Sequence, residues 1–189
     1  MKKIILILAV MMLMCSCGKK EEPVNYTYEI KSKNVDMSGY EGVNSTKHNF
    51  RLITPTEFFN AYDAKSSGVF YLGRTNCACC QRVCRYLDEV ARELDVTVYY
   101  IDPYNEEESL TGNPELFAKM KEYMFPILGI EDGEKSLLTP QVFSLINGKY
   151  AGSQICFDNY VLDLPPTDEQ VEKFKDAYRA ILRPFSKTD

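Results

Sequence analysis

The sequence of 189 residues contains no tryptophan and a single histidine, His48. It has no cluster of lysine and arginine, and its formal net charge is −5. Because binding to phosphate backbones needs clustered positive charge, nucleic acid is excluded as a partner. No glycine-rich phosphate-binding loop and no Gly-x-Ser-x-Gly motif is present. The one histidine lies at the end of a polar N-terminal segment, so a cysteine–histidine catalytic pair is not indicated either.

An apolar run over residues 4–14 follows Lys2 and Lys3 at the start of the chain. This run is too short to cross a bilayer comfortably as a permanent helix, and a polar stretch follows it at residues 18–22. A positive start, a short apolar centre and a polar continuation are typical of an export signal.

Two cysteines end the apolar run and indicate lipid attachment. The junction at residues 15–17 resembles that of bacterial lipoprotein signals, in which cleavage leaves a lipidated cysteine as the first residue. Cys17 is the predicted site because the small Ser16 precedes it, whereas the bulky Met14 precedes Cys15. The resemblance implies a lipid anchor at the extracytoplasmic face of the cell membrane. An ordinary secretory signal with incidental cysteines is the alternative.

The length of the chain suits one domain and hardly two. We predict a signal over residues 1–17, a polar tether over residues 18–47 and one folded domain over residues 48–189. The tether is predicted from its content of Lys, Glu, Asn, Ser and Gly. One alternating piece inside it, residues 26–30, is compatible with an early strand.

Apolar spacing in the domain predicts a strand–helix–strand unit. Residues 68–73 form an apolar run bounded by glycines, residues 80–94 repeat apolar side chains at helical spacing, and residues 96–101 form a second apolar run. Further signals predict three more helices: one capped by Thr54 or Thr56, one from Pro114 ending at Pro126 with a loop after it, and a final one capped near Thr167. A strand is predicted over residues 139–146. It continues through a hairpin turn at Asn147-Gly148 into a return strand over residues 149–157.

The cysteines of the domain are clustered. Export would allow disulfides to form and persist. However, Cys77, Cys79, Cys80 and Cys84 lie within eight residues, and only Cys156 is distant from them. A structural disulfide framework would spread its cysteines along the chain, so the cluster indicates chemistry.

Cys77 and Cys80 form a C-x-x-C motif between a predicted strand and a predicted helix. At the first turn of a helix, free N–H groups and the helix dipole favour a thiolate at Cys77. Cys80, one turn further on, is placed to attack a mixed disulfide formed at Cys77 and to release the product.

With these features the sequence resembles the thioredoxin superfamily over residues 50–183. Residues 77–93, CACCQRVCRYLDEVARE, carry the local match, and Thr139-Pro140 before a strand and Asn147-Gly148 resembles the second signature of the family. The resemblance implies an α/β fold with a central mixed β-sheet flanked by helices, an N-terminal extension and a helical insertion between residues 104 and 136. It also implies a cis peptide bond at Pro140 and contact of Thr139 and Pro140 with substrate.

The function that the resemblance implies is a thiol–disulfide oxidoreductase, anchored to the membrane and acting on exported proteins or peptides that carry thiols or disulfides. A membrane redox partner fits this function, and no cofactor is needed. Residues 71–74 before the motif resemble bacteriocin transport accessory-type proteins of bacteria. The alternative is a binding or accessory lipoprotein for peptide export that is inactive in redox chemistry.

Some positions depart from the thioredoxin pattern. Tyr71 stands where that family has a buried aspartate, and Arg85 replaces a helix-kinking proline. Arg82 and Arg85 are interpreted as solvated charges, while Arg74 either lowers the thiol pKa or is solvated as well.

Three further cysteines have separate interpretations. Cys79 is a candidate auxiliary thiol, exposed and able to compete as a resolving thiol. Cys84 is interpreted as a core residue, with an auxiliary role as a shuttle or regulatory thiol as the alternative. Cys156 is expected to point into the sheet. No metal site is predicted, although Cys77, Cys80 and Cys84 share a helical face. Structural zinc sites usually draw two ligand pairs from separate segments.

Overall fold

The computed structural model describes residues 23–24, 26, 28–156 and 165–187. The predicted signal over residues 1–17, with the predicted lipidation site Cys17, lies outside these residues. Among the helices of the described residues, none is both long enough and apolar enough to cross a membrane.

The described residues form seven strands and four α-helices. In chain order these are β1 (Phe50–Ile53), α1 (Pro55–Asp63), β2 (Gly68–Leu72), α2 (Ala78–Glu93), β3 (Val98–Ile101), α3 (Pro114–Met124), β4 (Gly129–Glu131), β5 (Glu134–Ser136), β6 (Gln141–Ile146), β7 (Lys149–Ile155) and α4 (Asp168–Leu182).

Five of the strands form one mixed sheet in the order β1-β3-β2-β6-β7. Strands β1, β3 and β2 run parallel, and β6 and β7 are added antiparallel. Phe70 at the centre of β2 pairs with Tyr99 on one side and with Phe143 on the other. Strands β4 and β5 form a separate hairpin. The predicted α/β fold with a central mixed sheet is confirmed.

Alternation along β2 sends its side chains to two cores, one on each face of the sheet. Val69 and Tyr71 join the core under α2 and α4, whereas Phe70 and Leu72 join the core under α1 and α3. All four side chains are fully buried. Because both faces are covered by helices, β2 has a continuous apolar sequence, and this is why its position was predictable.

The packing of the N-terminal segment differs from the prediction that the folded domain begins at residue 48. Residues 28–47 are not a free tether, because Met37 and Tyr40 are buried in the core under α2 and α4. The predicted early strand is absent at residues 28–30. Instead, Lys33 pairs with Leu52 through two backbone hydrogen bonds of 2.9 Å. Composition did not reveal this packing, because the buried residues are widely spaced in a polar segment.

The remaining elements largely follow the sequence signals. The side chain of Thr54 caps α1, Thr167 and Gln170 form a capping box on α4, and α3 begins at Pro114. Asn147 and Gly148 turn the hairpin with φ of 54° and 74°, as an Asn-Gly turn requires. Strand β1 was not predicted, and the hairpin β4–β5 lies where a loop was expected.

Candidate active site

Cys77 is the N-cap residue of α2. Its backbone is extended, with φ of −101° and ψ of 116°, and its sulfur accepts the backbone N–H of Cys80 at 3.2 Å. Its carbonyl accepts the first helical hydrogen bond, from Gln81 at 2.9 Å. The Cys77 sulfur therefore takes the place that a serine or aspartate oxygen holds at many helix starts, and it faces the positive end of α2.

The loop before β6 lies against this sulfur. The Thr139–Pro140 peptide bond is cis, as the resemblance implied. The Cys77 sulfur lies 3.6 Å from the Thr139 carbonyl oxygen, although the two residues are 62 positions apart. The structure thus brings together four residues that the sequence singled out: Cys77, Cys80, Thr139 and Pro140. With this loop and the strand order, the fold is thioredoxin-like.

The pKa values of the two thiols of the motif are shifted in opposite directions. The pKa of Cys77 is lowered to about 5, chiefly because the Cys80 thiol donates a hydrogen bond to its sulfur. Partial burial opposes this effect, whereas the Cys80 N–H, the Thr139 side chain and the Arg74 charge also lower the pKa. The pKa of Cys80 is raised, first by the hydrogen bond to Cys77 and then by burial. At neutral pH, Cys77 is a thiolate and Cys80 holds the proton.

Arg74 lies beside the site and is engaged by an aromatic residue. Its guanidinium donates to the Tyr104 hydroxyl at 2.7 Å and lies 5.6 Å from the centre of that ring. Its charge lowers the Cys77 pKa, but by less than the hydrogen bonds from Cys80 and Thr139 do. Arg85, interpreted from the sequence as solvated, is half-buried, and it donates to the hydroxyl of Tyr86 at 2.6 Å while lying over that ring.

Tyr71 lies in the core under α2, in the same buried cluster as Cys80. Its ring is fully buried and stacks on Tyr100 with 5.5 Å between ring centres, and it covers Gly73 so closely that a Cβ there would overlap it. Burial raises the pKa of Tyr71, so its hydroxyl stays protonated. Tyr71 therefore cannot accept the Cys80 proton as a buried carboxylate would.

Cys84 lies one turn beyond Cys80 on the buried side of α2. It is completely buried, which confirms the core interpretation. Burial raises the pKa of the Cys84 thiol, and the nearby Asp88 adds to this effect. A neutral, buried thiol does not compete with Cys77 for a substrate.

Cys79 and Cys156 correct two predictions. They form a disulfide, with 6.6 Å between their Cα atoms, so Cys79 is not a free auxiliary thiol and Cys156 does not point into the core. Both residues are partly exposed. The reason is geometric, because the first turn of α2 directs Cys79 away from the core face that holds Cys80, toward the end of β7. Clustering alone did not reveal a partner 77 residues away.

The N-terminal segment also contributes to the site, which the sequence did not indicate. The Gln81 side chain donates to the carbonyls of Gly39 at 2.7 Å and Thr75 at 2.5 Å, and it accepts the N–H of Glu41 at 2.9 Å. Gln81 therefore joins residues 39–41, the loop before Cys77 and the first turn of α2. Within the described part of the chain, no group of three or more His, Cys, Asp or Glu side chains is placed to hold a metal ion.

Comparison with known proteins gives matches of structure alone. No family model and no curated protein matches the chain. The chain is similar to thioredoxin O2 from Arabidopsis thaliana in its oxidized state, with 16% identity, a TM-score of 0.42, and coverage of 74% of this chain and 96% of that one. It is also similar to a protein described as having a thioredoxin fold, with 15% identity, a TM-score of 0.41, and coverage of 64% and 93%. Similarity at this level does not bear on function.

Proposed function

We propose that the protein is a thiol–disulfide oxidoreductase in which Cys77 is the attacking thiol and Cys80 the resolving thiol. The observation that carries this proposal is the arrangement at the start of α2. The Cys77 sulfur caps the helix, accepts the Cys80 N–H at 3.2 Å and lies 3.6 Å from the carbonyl before a cis proline.

The chemistry follows from the acidity of the two thiols. In the reducing direction, the Cys77 thiolate attacks one sulfur of a substrate disulfide, and the other substrate sulfur leaves as a thiolate. Cys80 then loses its proton, attacks the Cys77 sulfur and releases the second substrate thiol. The pKa of about 5 at Cys77 stabilises the reduced pair, which makes the Cys77–Cys80 disulfide a stronger oxidant.

The proposed substrates are exported proteins or peptides. Thr139 and Pro140 lie directly before β6, where they offer backbone groups to an extended chain beside Cys77. The predicted signal and Cys17 would place the domain on the extracytoplasmic face of the membrane, where protein disulfides persist. A membrane redox partner would then restore the Cys77–Cys80 pair.

Reduction of insulin disulfides by the purified protein, with dithiothreitol as the electron source, tests the activity. We expect turnover with the wild type and its loss with Cys77→Ser. Cys84→Ala is the matched control, because it removes a buried thiol from the same helix without touching the site. Circular dichroism of each variant checks the fold.

Equal rates for wild type and Cys77→Ser, or no rate in either, would contradict the proposal. That outcome would favour the alternative function, an accessory lipoprotein for peptide export that is inactive in redox chemistry. Mass measurement of the membrane-extracted protein tests lipidation at Cys17 separately.

A further inference from the structure

The Cys79–Cys156 disulfide lies beside the redox pair. Gln141 of β6 pairs with Ile155 of β7, and Pro140 and Cys156 are the residues just beyond this pair on the two adjacent segments. The carbonyl of Thr139, adjacent to Pro140, is 3.6 Å from the Cys77 sulfur. Cys79, the other residue of the disulfide, lies in the first turn of α2 between Cys77 and Cys80. The disulfide and the active pair therefore adjoin the same loop and the same helix turn.

The two pairs are in different oxidation states in this structure. Cys79 and Cys156 are oxidised, whereas the thiols of Cys77 and Cys80 are free. Cys77, Cys79 and Cys156 are all partly exposed, unlike the buried Cys84. Moving the disulfide from one pair to the other requires no outside oxidant or reductant, because one pair gains the two electrons that the other loses.

We propose that the Cys79–Cys156 disulfide is a second redox centre that exchanges reversibly with Cys77 and Cys80. The proposal rests on the proposed function, since it uses the same attacking and resolving thiols. It assigns to Cys79 and Cys156 a role as a store of oxidising equivalents for the active pair, rather than a purely structural role.

The exchange is balanced in two steps. The Cys77 thiolate attacks the Cys156 sulfur, the Cys79–Cys156 bond breaks, and Cys79 leaves as a thiolate, which the first turn of α2 stabilises. Cys80 then gives up its proton and attacks Cys77, forming Cys77–Cys80 and releasing Cys156, which takes that proton. One disulfide and one thiolate are present before and after.

The test uses the full chain with Cys15→Ser and Cys17→Ser, so that the five cysteines of the domain alone react. The protein is fully reduced, freed of reductant and treated with one molar equivalent of diamide. Samples are quenched in acid at intervals, alkylated and mapped by mass spectrometry. We expect Cys77–Cys80 to form first, because Cys77 is the reactive thiolate, and then to decline as Cys79–Cys156 rises at a rate independent of protein concentration.

Two variants and one control sharpen the test. Cys156→Ser is expected to retain the Cys77–Cys80 disulfide without transfer. The double variant Cys79→Ser with Cys80→Ser is expected to accumulate the Cys77–Cys156 mixed disulfide, because neither resolving thiol remains. Cys84→Ala is expected to transfer as the wild type does. A Cys77–Cys80 disulfide that persists in the wild type while Cys79 and Cys156 remain thiols would overturn the exchange.

The insulin assay on Cys156→Ser separates the two proposals. Insulin reduction by this variant together with an absence of transfer in the wild type would overturn only the exchange. Failure of this variant, if folded, both to form Cys77–Cys80 and to reduce insulin would overturn the proposed function and with it the exchange.

Discussion

At the scale of single residues, the backbone around Cys77 determines its chemistry. The extended conformation of the N-cap position turns its sulfur toward the free N–H groups of α2, and the Cys80 thiol adds a second donor. Both interactions favour the charged form over the neutral one, so the Cys77 pKa falls although partial burial opposes the charge. Cys84 lies on the same helix but away from its start, and it is fully buried. Burial therefore raises its pKa.

This contrast predicts a pH profile for alkylation of the reduced protein. The rate of Cys77 modification by iodoacetamide should be half-maximal near pH 5 and should fall below it, because protonation removes the nucleophile. Peptide mapping assigns the modified site, and Cys84 should remain unmodified in the folded protein. A midpoint near 8.5, the value of an ordinary cysteine, would contradict the assigned environment.

The site residues differ in how far the sequence predicted them. The placement of Cys77 and Cys80 was predictable because it depends on local features, a spacing of three and the start of a helix. Gln81 was not, because its role depends on contacts with Gly39 and Glu41, some 40 positions away. Its residue type carries no signal for such a contact.

At the scale of elements, α2 is attached to the molecule at both ends. At its start, the disulfide of Cys79 joins it to the end of β7. Near its end, two ion pairs join it to α4. Glu89 forms one with Lys175 at 2.7 Å, and Glu93 forms the other with Arg179 at 3.1 Å. Between them, Tyr86 stacks on Phe174 with 5.8 Å between ring centres. The helix that carries the C-x-x-C motif is thus held by residues distant in sequence.

The disulfide is expected to stabilise the domain by restricting the unfolded chain. It closes a loop between positions 77 residues apart, for which the chain-entropy model gives about 4.5 kcal/mol. Cys79→Ser and Cys156→Ser should each lower the free energy of unfolding by a similar amount, measured by urea denaturation without reductant.

The control for this prediction is the double variant. Because both substitutions break the same bond, Cys79→Ser with Cys156→Ser should cost no more than either change alone. Additive losses would indicate that the two side chains stabilise the domain independently, and equal stability of all four proteins would show that the disulfide does not restrict the chain.

At the scale of the whole molecule, the N-terminal segment is part of the domain. Met37 is completely buried, and Tyr40 is 2% exposed and shares a 3.1 Å hydrogen bond with the Tyr100 hydroxyl. These contacts place residues 37–41 over the core beside α2, where Gln81 holds them to the loop before Cys77. Removing the segment would therefore expose the core and disturb the site together.

Met37→Ala tests this placement. Truncating a fully buried methionine should cost about 2–5 kcal/mol of unfolding free energy through lost burial and the remaining cavity. Met37→Leu, which nearly conserves volume, should cost less than about 1.5 kcal/mol. Chemical denaturation measures both. If Met37→Ala is as stable as the wild type, residues 28–47 act as the tether that their composition predicts.

The sequence by itself determined the order of most helices and strands, the buried strand β2 and the C-x-x-C motif at the start of α2. Each of these depends on neighbouring residues, through the continuous apolar run of β2, the helical spacing in α2, the Asn147-Gly148 turn and the C-x-x-C spacing. The tertiary structure alone decided the Cys79–Cys156 disulfide, the burial of Met37 and the part that Gln81 plays. These features depend on contacts between segments that are far apart in the chain, and local residue patterns do not predict such contacts.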